Sequence, residues 1–250
     1  MRRDYLASCL LGLLCLLAWE VVVARFHPSP LVLPAPSVIA VSLWKGLVSG
    51  FLWPHIVLTT VEALLGLLLG ACLGFMGGVA LGESPRLRRI FMPFVVMSQV
   101  IPKLALAPLF IVWFGFGTLP TVIMTALICF FPLLENTVTS MQQVDPQRLE
   151  LFRMLRASSW QTLLRLKIPS GLPSIMAGFR VAVVLAWVGA VVAEFIGASR
   201  GLGALIIGAQ GSMDTSLMFA VLVVITVLGL ASYKAAQWLE QRILRAQFFA

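Results

Sequence analysis

Residues 56–82 read IVLTTVEALLGLLLGACLGFMGGVALG, and Glu62 is their only charged residue. A helix needs ~20 mainly apolar residues to cross the hydrocarbon core of a bilayer. This run is long enough, and it lacks the period-two alternation of a lipid-embedded barrel strand. It reads as a membrane-crossing helix. Gly66, Gly70, Gly74 and Gly78 recur every four residues, which places them on one face. Such a smooth stripe lets a neighbouring helix approach closely.

Working outward, five more apolar runs fall at 5–25, 91–115, 117–139, 172–196 and 215–237, with GFGTLP (115–120) at the junction of the third and fourth crossings. Charged residues make up 11% of the 250 and hydrophobic ones 60%, whereas a soluble domain carries about a quarter charged residues. The fold class expected is all-α: a polytopic membrane bundle of about six transmembrane helices. Residues 1–55 form a first crossing plus an outer amphipathic segment, 56–240 the main membrane domain, and 241–250 a cytoplasmic tail.

Positive charge is retained on the cytoplasmic side of a membrane. With the N-terminus inside, the inner segments hold Arg2, Arg3, Arg86, Arg88, Arg89, Arg148, Arg153, Arg156, Arg165, Lys167, Lys234, Arg242 and Arg245. The outer loops hold only Arg25, Lys45 and Arg200, while Lys103 and Arg180 lie within or beside crossings. Thirteen against three puts both termini in the cytoplasm. The pI near 10.1 is then a topology signal, and nucleic acid is not an expected partner.

The opening stretch MRRDYLASCLLGLLCLLAWEVVVARF has the basic head and apolar body of a secretory signal. Its apolar part is long and no small-residue cleavage site follows, so an uncleaved first crossing is expected. Cys9, Cys15, Cys72 and Cys129 lie inside crossings with no Cys-x-x-Cys pair. They read as small buried hydrophobes, with neither a disulfide framework nor a metal site. Pro28, Pro30, Pro34 and Pro36 exclude a regular helix just after the first crossing. From about Pro36 to Phe51 an amphipathic helix on the outer surface is expected, with Trp44 and Trp53 at headgroup level.

The third crossing is unusual. Pro102 and Pro108 each remove a backbone donor and are expected to kink it. Lys103 between them is expensive in hydrocarbon unless it meets water, a carboxylate or the interface. Entering near residue 91 puts it close to mid-bilayer at ~1.5 Å per residue, whereas a later start lets it snorkel to the headgroups. The candidate translocation path comprises Glu62, Lys103, Glu135 and Asn136. Lys103 is expected to pair with Glu62 or Glu135, as a structural ion pair or at a substrate contact. Arg180 is expected to snorkel to the inner interface.

The longest inner loop, 140–170, carries two helix starts. Asp145 followed by Pro146 supplies an N-cap and a first helical residue. Ser158 with Gln161 three residues on makes a capping box. Two short helices are expected, about 146–156 and 159–167, the second ending before Pro169. The rival is one long amphipathic helix with Phe152, Leu155, Leu163 and Leu166 on a shared face. Both present an apolar ridge and a basic face, to anionic lipid or to the groove of a soluble partner.

Glu150, Arg156 six residues on, and LKIP at 166–169 resemble the cytoplasmic "EAA" loop of binding-protein-dependent ATP-binding cassette (ABC) importers. In that pattern Glu-Ala-Ala is followed by three residues, Gly, nine residues and Ile-x-Leu-Pro. Leu151 and Phe152 replace the alanines, and Arg156 the glycine, where a side chain makes positive φ costly. IPKLALAPLFIVWFGFG (101–117), FFPLLENTVTSMQQVD (130–145), RASSWQTLLRLKIPSGLPSIMAGFRVAVVLAWVGAVVAEF (156–195) and GLGALI (201–206) also look like this family. They point to its branch for nitrate, sulfonate, taurine and pyrimidine precursors.

The resemblance implies a type I ABC importer transmembrane fold in the plasma (inner) membrane, over roughly residues 30–245. It implies a permease homodimer, two cytoplasmic ATP-binding subunits and a periplasmic or extracellular substrate-binding protein, moving a small polar organic solute or nitrate. The segment 145–169 becomes the coupling loop to the ATPase, through Glu150, Leu151, Phe152, Leu155, Arg156 and Pro169. Glu194, near the outer mouth, is expected to meet the binding protein or Arg200.

The chain has no Gly-x-x-x-x-Gly-Lys-Ser/Thr loop, so ATP hydrolysis is assigned to a separate subunit. Gly197-Ala198-Ser199-Arg200-Gly201 fits Gly-x-Ser-x-Gly by spacing alone, but there is no His-Glu-x-x-His, and His27 and His55, the two histidines a hydrolytic triad could use, both fall outside the crossings. No catalytic residue, cofactor or metal site is therefore expected. The alternative is an ion-coupled secondary transporter using Glu62 and Glu135, which would normally have more crossings and broken helices.

Overall fold

The computed structural model describes residues 2–248, all of whose regular elements are helical. The side chains of Arg2, Arg3 and Cys9 lie outside the described residues. The helices are α1 (Arg2–Phe26), α2 (Pro36–Val48), α3 (Trp53–Glu83), α4 (Pro85–Val100), α5 (Ala107–Phe114), α6 (Thr118–Gln142), α7 (Pro146–Met154), α8 (Ser159–Thr162), α9 (Ile168–Gly197), α10 (Leu202–Gly211) and α11 (Thr215–Phe248). Among the described residues four stretches are long and apolar enough to cross a membrane: Trp53–Glu83, Thr118–Gln142, Ser159–Gly197 and Thr215–Arg245. The 25-residue α1 occupies the place expected for the first crossing.

The centre is a three-helix layer of α3, α6 and α9. The glycine stripe accounts for its α3–α6 side. Gly66, Gly70, Gly74 and Gly78 face Thr125, Ala126, Phe130 and Thr137 of α6, so closely that a Cβ on any of them would strike α6. Backbones at that separation attract one another by dispersion along their whole length, the main attraction available between helices in lipid. Helix α11 covers α9 and α2, while α10 sits among α9, α11 and α3. Near the α10 end, Leu52, Val191, Leu202, Ile206, Val221 and Val224 form one apolar cluster. At the opposite end Leu133, Met141, Leu163 and Ile175 form another.

The expected third crossing, 91–115, is not one helix. Helix α4 ends at Val100, and Ile101 is extended (φ −66°, ψ 123°), as the residue before a proline prefers. A 3₁₀ turn, Lys103–Leu106, then leads into α5. Pro102 supplies the break. Pro108 does not kink anything: it sits in the first turn of α5, where no N–H is needed. Helix α5 has only 8 residues and ends at Gly115 (φ 78°), so it extends ~12 Å, too short to cross.

The helix expected at 36–51 is present as α2 but ends at Val48, with Trp44 exposed on it and Trp53 exposed at the start of α3. Glu20 ties α1 to its start, accepting from Ser37 Oγ at 2.7 Å and Ser37 N at 3.1 Å. Cys15, Cys72 and Cys129 are free thiols; Cys129 is buried, but Cys15 and Cys72 are exposed rather than buried.

Candidate functional site

The segment between α6 and α9 forms an elbow. Asp145 caps α7, its side chain accepting from Gln147 N at 2.9 Å. Ser158 and Gln161 close the expected capping box at the start of α8, with Gln161 N donating to Ser158 Oγ (3.2 Å) and Ser158 N to Gln161 Oε1 (2.8 Å). Between them the chain reverses at Arg156, whose φ is +53°. The residue at the glycine position of the resembled pattern therefore adopts the glycine conformation, at ~1–2 kcal/mol for a side chain.

The two-helix reading holds against the single long helix, but its second boundary does not. Rather than stopping before Pro169, α8 passes through a π turn at Leu163–Lys167 directly into α9. Pro169 sits in the first turn of α9, and the wider π hydrogen-bond pattern absorbs the donor it lacks. Ser159–Gly197 is one 39-residue lever.

This continuity splits the apolar ridge. Leu163 and Leu166 turn inward and are buried, Leu163 against Ile175 and Met141. Phe152 is half-buried. Leu151, Met154, Leu155 and Trp160 remain 54%, 77%, 69% and 66% exposed. Glu150 is exposed, and its carboxylate makes no hydrogen bond or ion pair among the described residues. Sequence reasoning passes over Met154 and Trp160, although a tryptophan directly after a capping serine pair is a visible signal. The elbow is clipped to α3 by Lys167, whose Nζ donates to Glu83 Oε1 at 2.7 Å.

The polar candidates inside the bundle do not gather at one place. Lys103 pairs with neither Glu62 nor Glu135; its Nζ donates to Gln99 Oε1 at 2.8 Å, one turn back. After the break at Pro102 the lysine, in the 3₁₀ turn, reaches back to the last turn of α4. Glu135 is exposed on the face of α6 turned away from the three-helix layer. Asn136 Nδ2 donates to the Pro132 carbonyl at 2.8 Å, one turn back on its own helix. Arg180 Nη1 meets Glu240 Oε2 of α11 at 3.0 Å.

Glu62 and Glu194 lie together at the far end, away from the elbow, each 1% exposed. The two carboxyls neighbour one another, with Thr118 beside Glu62, and Glu62 Oε2 is buried without a hydrogen-bond partner among the described residues. Glu194 meets neither Arg200 nor solvent. Its Oε1 accepts from Thr59 Oγ1 (2.6 Å) and its Oε2 from Gly203 N (2.6 Å). Thr59 Oγ1 in turn accepts from Leu202 N at 2.8 Å, and His55 Nδ1 from Gly201 N at 3.1 Å. Sequence reasoning misses this network, because GLGALI (201–206) stands out only as a stretch that resembles the family until its N–H groups acquire partners. Among the described residues no group of three or more His, Cys, Asp or Glu side chains is placed to hold a metal.

A family model described as "Binding-protein-dependent transport system inner membrane component" matches residues 66–245. The chain belongs to this family. It is a multi-pass inner-membrane permease of the ABC importer type, a family that works with an ATP-binding subunit and a substrate-binding protein. The chain is 36% identical to the riboflavin transport system permease protein RibX of Chloroflexus aurantiacus, over 93% of this chain and 87% of that one. It is 34% identical to the formylaminopyrimidine transport permease protein ThiX of Halalkalibacterium halodurans, over 98% of each. With the taurine transport system permease protein TauC of Escherichia coli it shares 29%, over 97% and 90%. The fold resembles that of the inward-facing MetNI methionine ABC transporter, with TM-score 0.58 and 21% identity over 78% of this chain and 94% of that one.

Proposed function

We propose that this permease moves a small polar organic solute, of the vitamin-precursor or sulfonate type, across the inner membrane while ATP is hydrolysed on two cytoplasmic subunits. The permease works as a homodimer with both termini in the cytoplasm, receives its solute from a binding protein outside, and carries out no hydrolysis itself. Relatives whose names specify riboflavin, formylaminopyrimidine and taurine support the solute class. All three cargoes are small and polar.

The observation that carries this reading is the elbow. Leu151, Met154 and Leu155 at the end of α7 and Trp160 on α8 are exposed apolar residues on a capped helix pair whose second arm continues into α9 as one helix. An apolar edge on a rigid arm suits insertion into a groove on another protein. A force applied there is transmitted along α9 rather than dissipated in a flexible loop. Thirteen basic residues on the elbow side against three on the other support the cytoplasmic placement of the elbow.

The test pairs a partner assay with a cargo assay. The chain, co-expressed with its ATP-binding subunit, should retain that subunit through detergent purification, and Trp160→Ala should release it while leaving the permease in the membrane. Retention unchanged in Trp160→Ala, with Leu155→Ala equally silent, would assign the edge to lipid. For the cargo, thermal shift of the binding protein with riboflavin, a formylaminopyrimidine and taurine should single out one class. A shift with none of them would remove the solute assignment.

A further inference from the structure

We infer that Glu194 is a positioning residue that clasps the outer gate shut, holding the start of α10 against α3 at the end of the bundle opposite the elbow. The inference rests on the orientation proposed above only for the word outer; the clasp itself is geometric.

Helix α10 has 10 residues and extends ~15 Å, so it cannot cross a bilayer. It leaves α9 and reaches α11 at the same end of the molecule, lying between them and α3. The first N–H groups of a helix have no partners within it. Here Leu202 N and Gly203 N are taken up by Thr59 of α3 and Glu194 of α9, and the preceding Gly201 N by His55 of α3. Gly201 has φ +120°, and a Cβ there would overlap the Glu194 carboxyl; one at Gly203 would strike the Val191 carbonyl. Only glycine lets the turn come this close.

The clasp is costly to open. Thr59 is 0% and Glu194 1% exposed, and a buried carboxyl stripped of a donor loses far more than an exposed one. Moving α10 away removes the Gly203 donor from Glu194 and the Leu202 donor from Thr59 together. Closure is therefore the resting arrangement, and opening requires work from elsewhere. Helix α9 can deliver that work: it carries Glu194 near one end and continues into the elbow at the other, ~45 Å away along its 30 residues.

The experiment reads access directly. In a chain whose native cysteines are replaced, Leu202→Cys reports the space behind the clasp to a membrane-impermeant maleimide added to intact cells. Labelling should be slow with Thr59 or Thr59→Ser, which keep the hydroxyl, and at least tenfold faster with the isosteric Thr59→Val. The purified permease–ATPase complex should show the same split, with ATP hydrolysis in the absence of binding protein at least threefold higher for Thr59→Val than for Thr59→Ser.

Equal labelling of the Ser and Val variants overturns the clasp, as does fast labelling with Thr59 intact. A Val variant that merely unfolds would lower the thermal midpoint and label at every introduced cysteine, including one at buried Ala186, and that result also overturns it. If only inverted vesicles label, the proposed orientation fails and the clasp stands. If the wild-type complex hydrolyses no ATP, the importer reading fails while the labelling still decides the clasp.

Discussion

Lys167 Nζ lies 2.7 Å from Glu83 Oε1, joining the π turn of the elbow to the last residue of α3. Both side chains are partly buried, at 17% and 29% exposure, so the pair is shielded from solvent better than a surface bridge. It adds a second attachment between the lever and the central layer. Removing either partner should cost about 1 kcal/mol of stability. It should lower coupling more than it lowers folding, because the elbow can then rock against α3. Lys167→Ala and Glu83→Ala should each reduce ATP-driven uptake severalfold, and the double swap Lys167→Glu with Glu83→Lys should recover most of it. Additive losses in the swapped protein would show that the bridge does not couple the two elements.

Glu150 stands exposed on α7, one residue from Leu151 on the apolar edge. A carboxylate at the margin of an apolar docking edge favours a basic group on the partner and fixes the register of docking. Glu150→Lys reverses that charge and should abolish uptake, with the amount of permease in the membrane unchanged. Glu150→Gln should retain part of the activity. Uptake by Glu150→Lys at the level of the unmodified chain would remove Glu150 from the coupling interface.

Much of this architecture is legible in residue spacing. The four-residue glycine period on α3 announces a close helix contact, and the contact is there with α6. Asp145-Pro146 and Ser158/Gln161 mark helix starts through local hydrogen bonding, and local rules do not depend on distant packing. The failures share a different cause. Whether Pro169 ends a helix depends on the π turn before it, and Lys103 finds Gln99 because Pro102 breaks α4. Glu194 reads as a residue of the open mouth because it falls near the end of an apolar run, 172–196. Its real partners are 135 residues away at Thr59 and 9 away at Gly203. No periodicity in a single sequence encodes such pairings.

Arg156 at φ +53° keeps the elbow turn in a conformation that a side chain resists by ~1–2 kcal/mol. Arg156→Gly should relieve that cost, leave uptake close to normal and slow cleavage of the elbow by protease. Arg156→Val should do the opposite, because β-branching opposes positive φ most strongly. Limited proteolysis of the purified permease, read as the rate of cutting between residues 150 and 165, checks both. Faster cutting in the glycine variant would mean that the turn is held by the arginine side chain and not merely tolerated.

The α3–α6 seam makes the sharpest stability prediction. A Cβ at Gly70 would press on the Ala126 carbonyl and one at Gly74 on the Phe130 carbonyl, both backbone atoms that cannot move aside like a side-chain tip. Gly74→Val should force the two helices apart, at a cost of the 1–3 kcal/mol typical of overpacking plus the dispersion attraction forfeited along the seam. The accumulated protein should fall sharply and its thermal midpoint drop. Gly12 and Gly208 meet nothing within 4 Å, and both lie within helices, where alanine is favoured over glycine by ~1 kcal/mol. Gly12→Ala and Gly208→Ala should therefore be neutral or mildly stabilising in the same assay. Were Gly74→Val to accumulate and melt like Gly12→Ala, the close approach of α3 to α6, and with it the placement of Glu62 beside α9, would have to be redrawn.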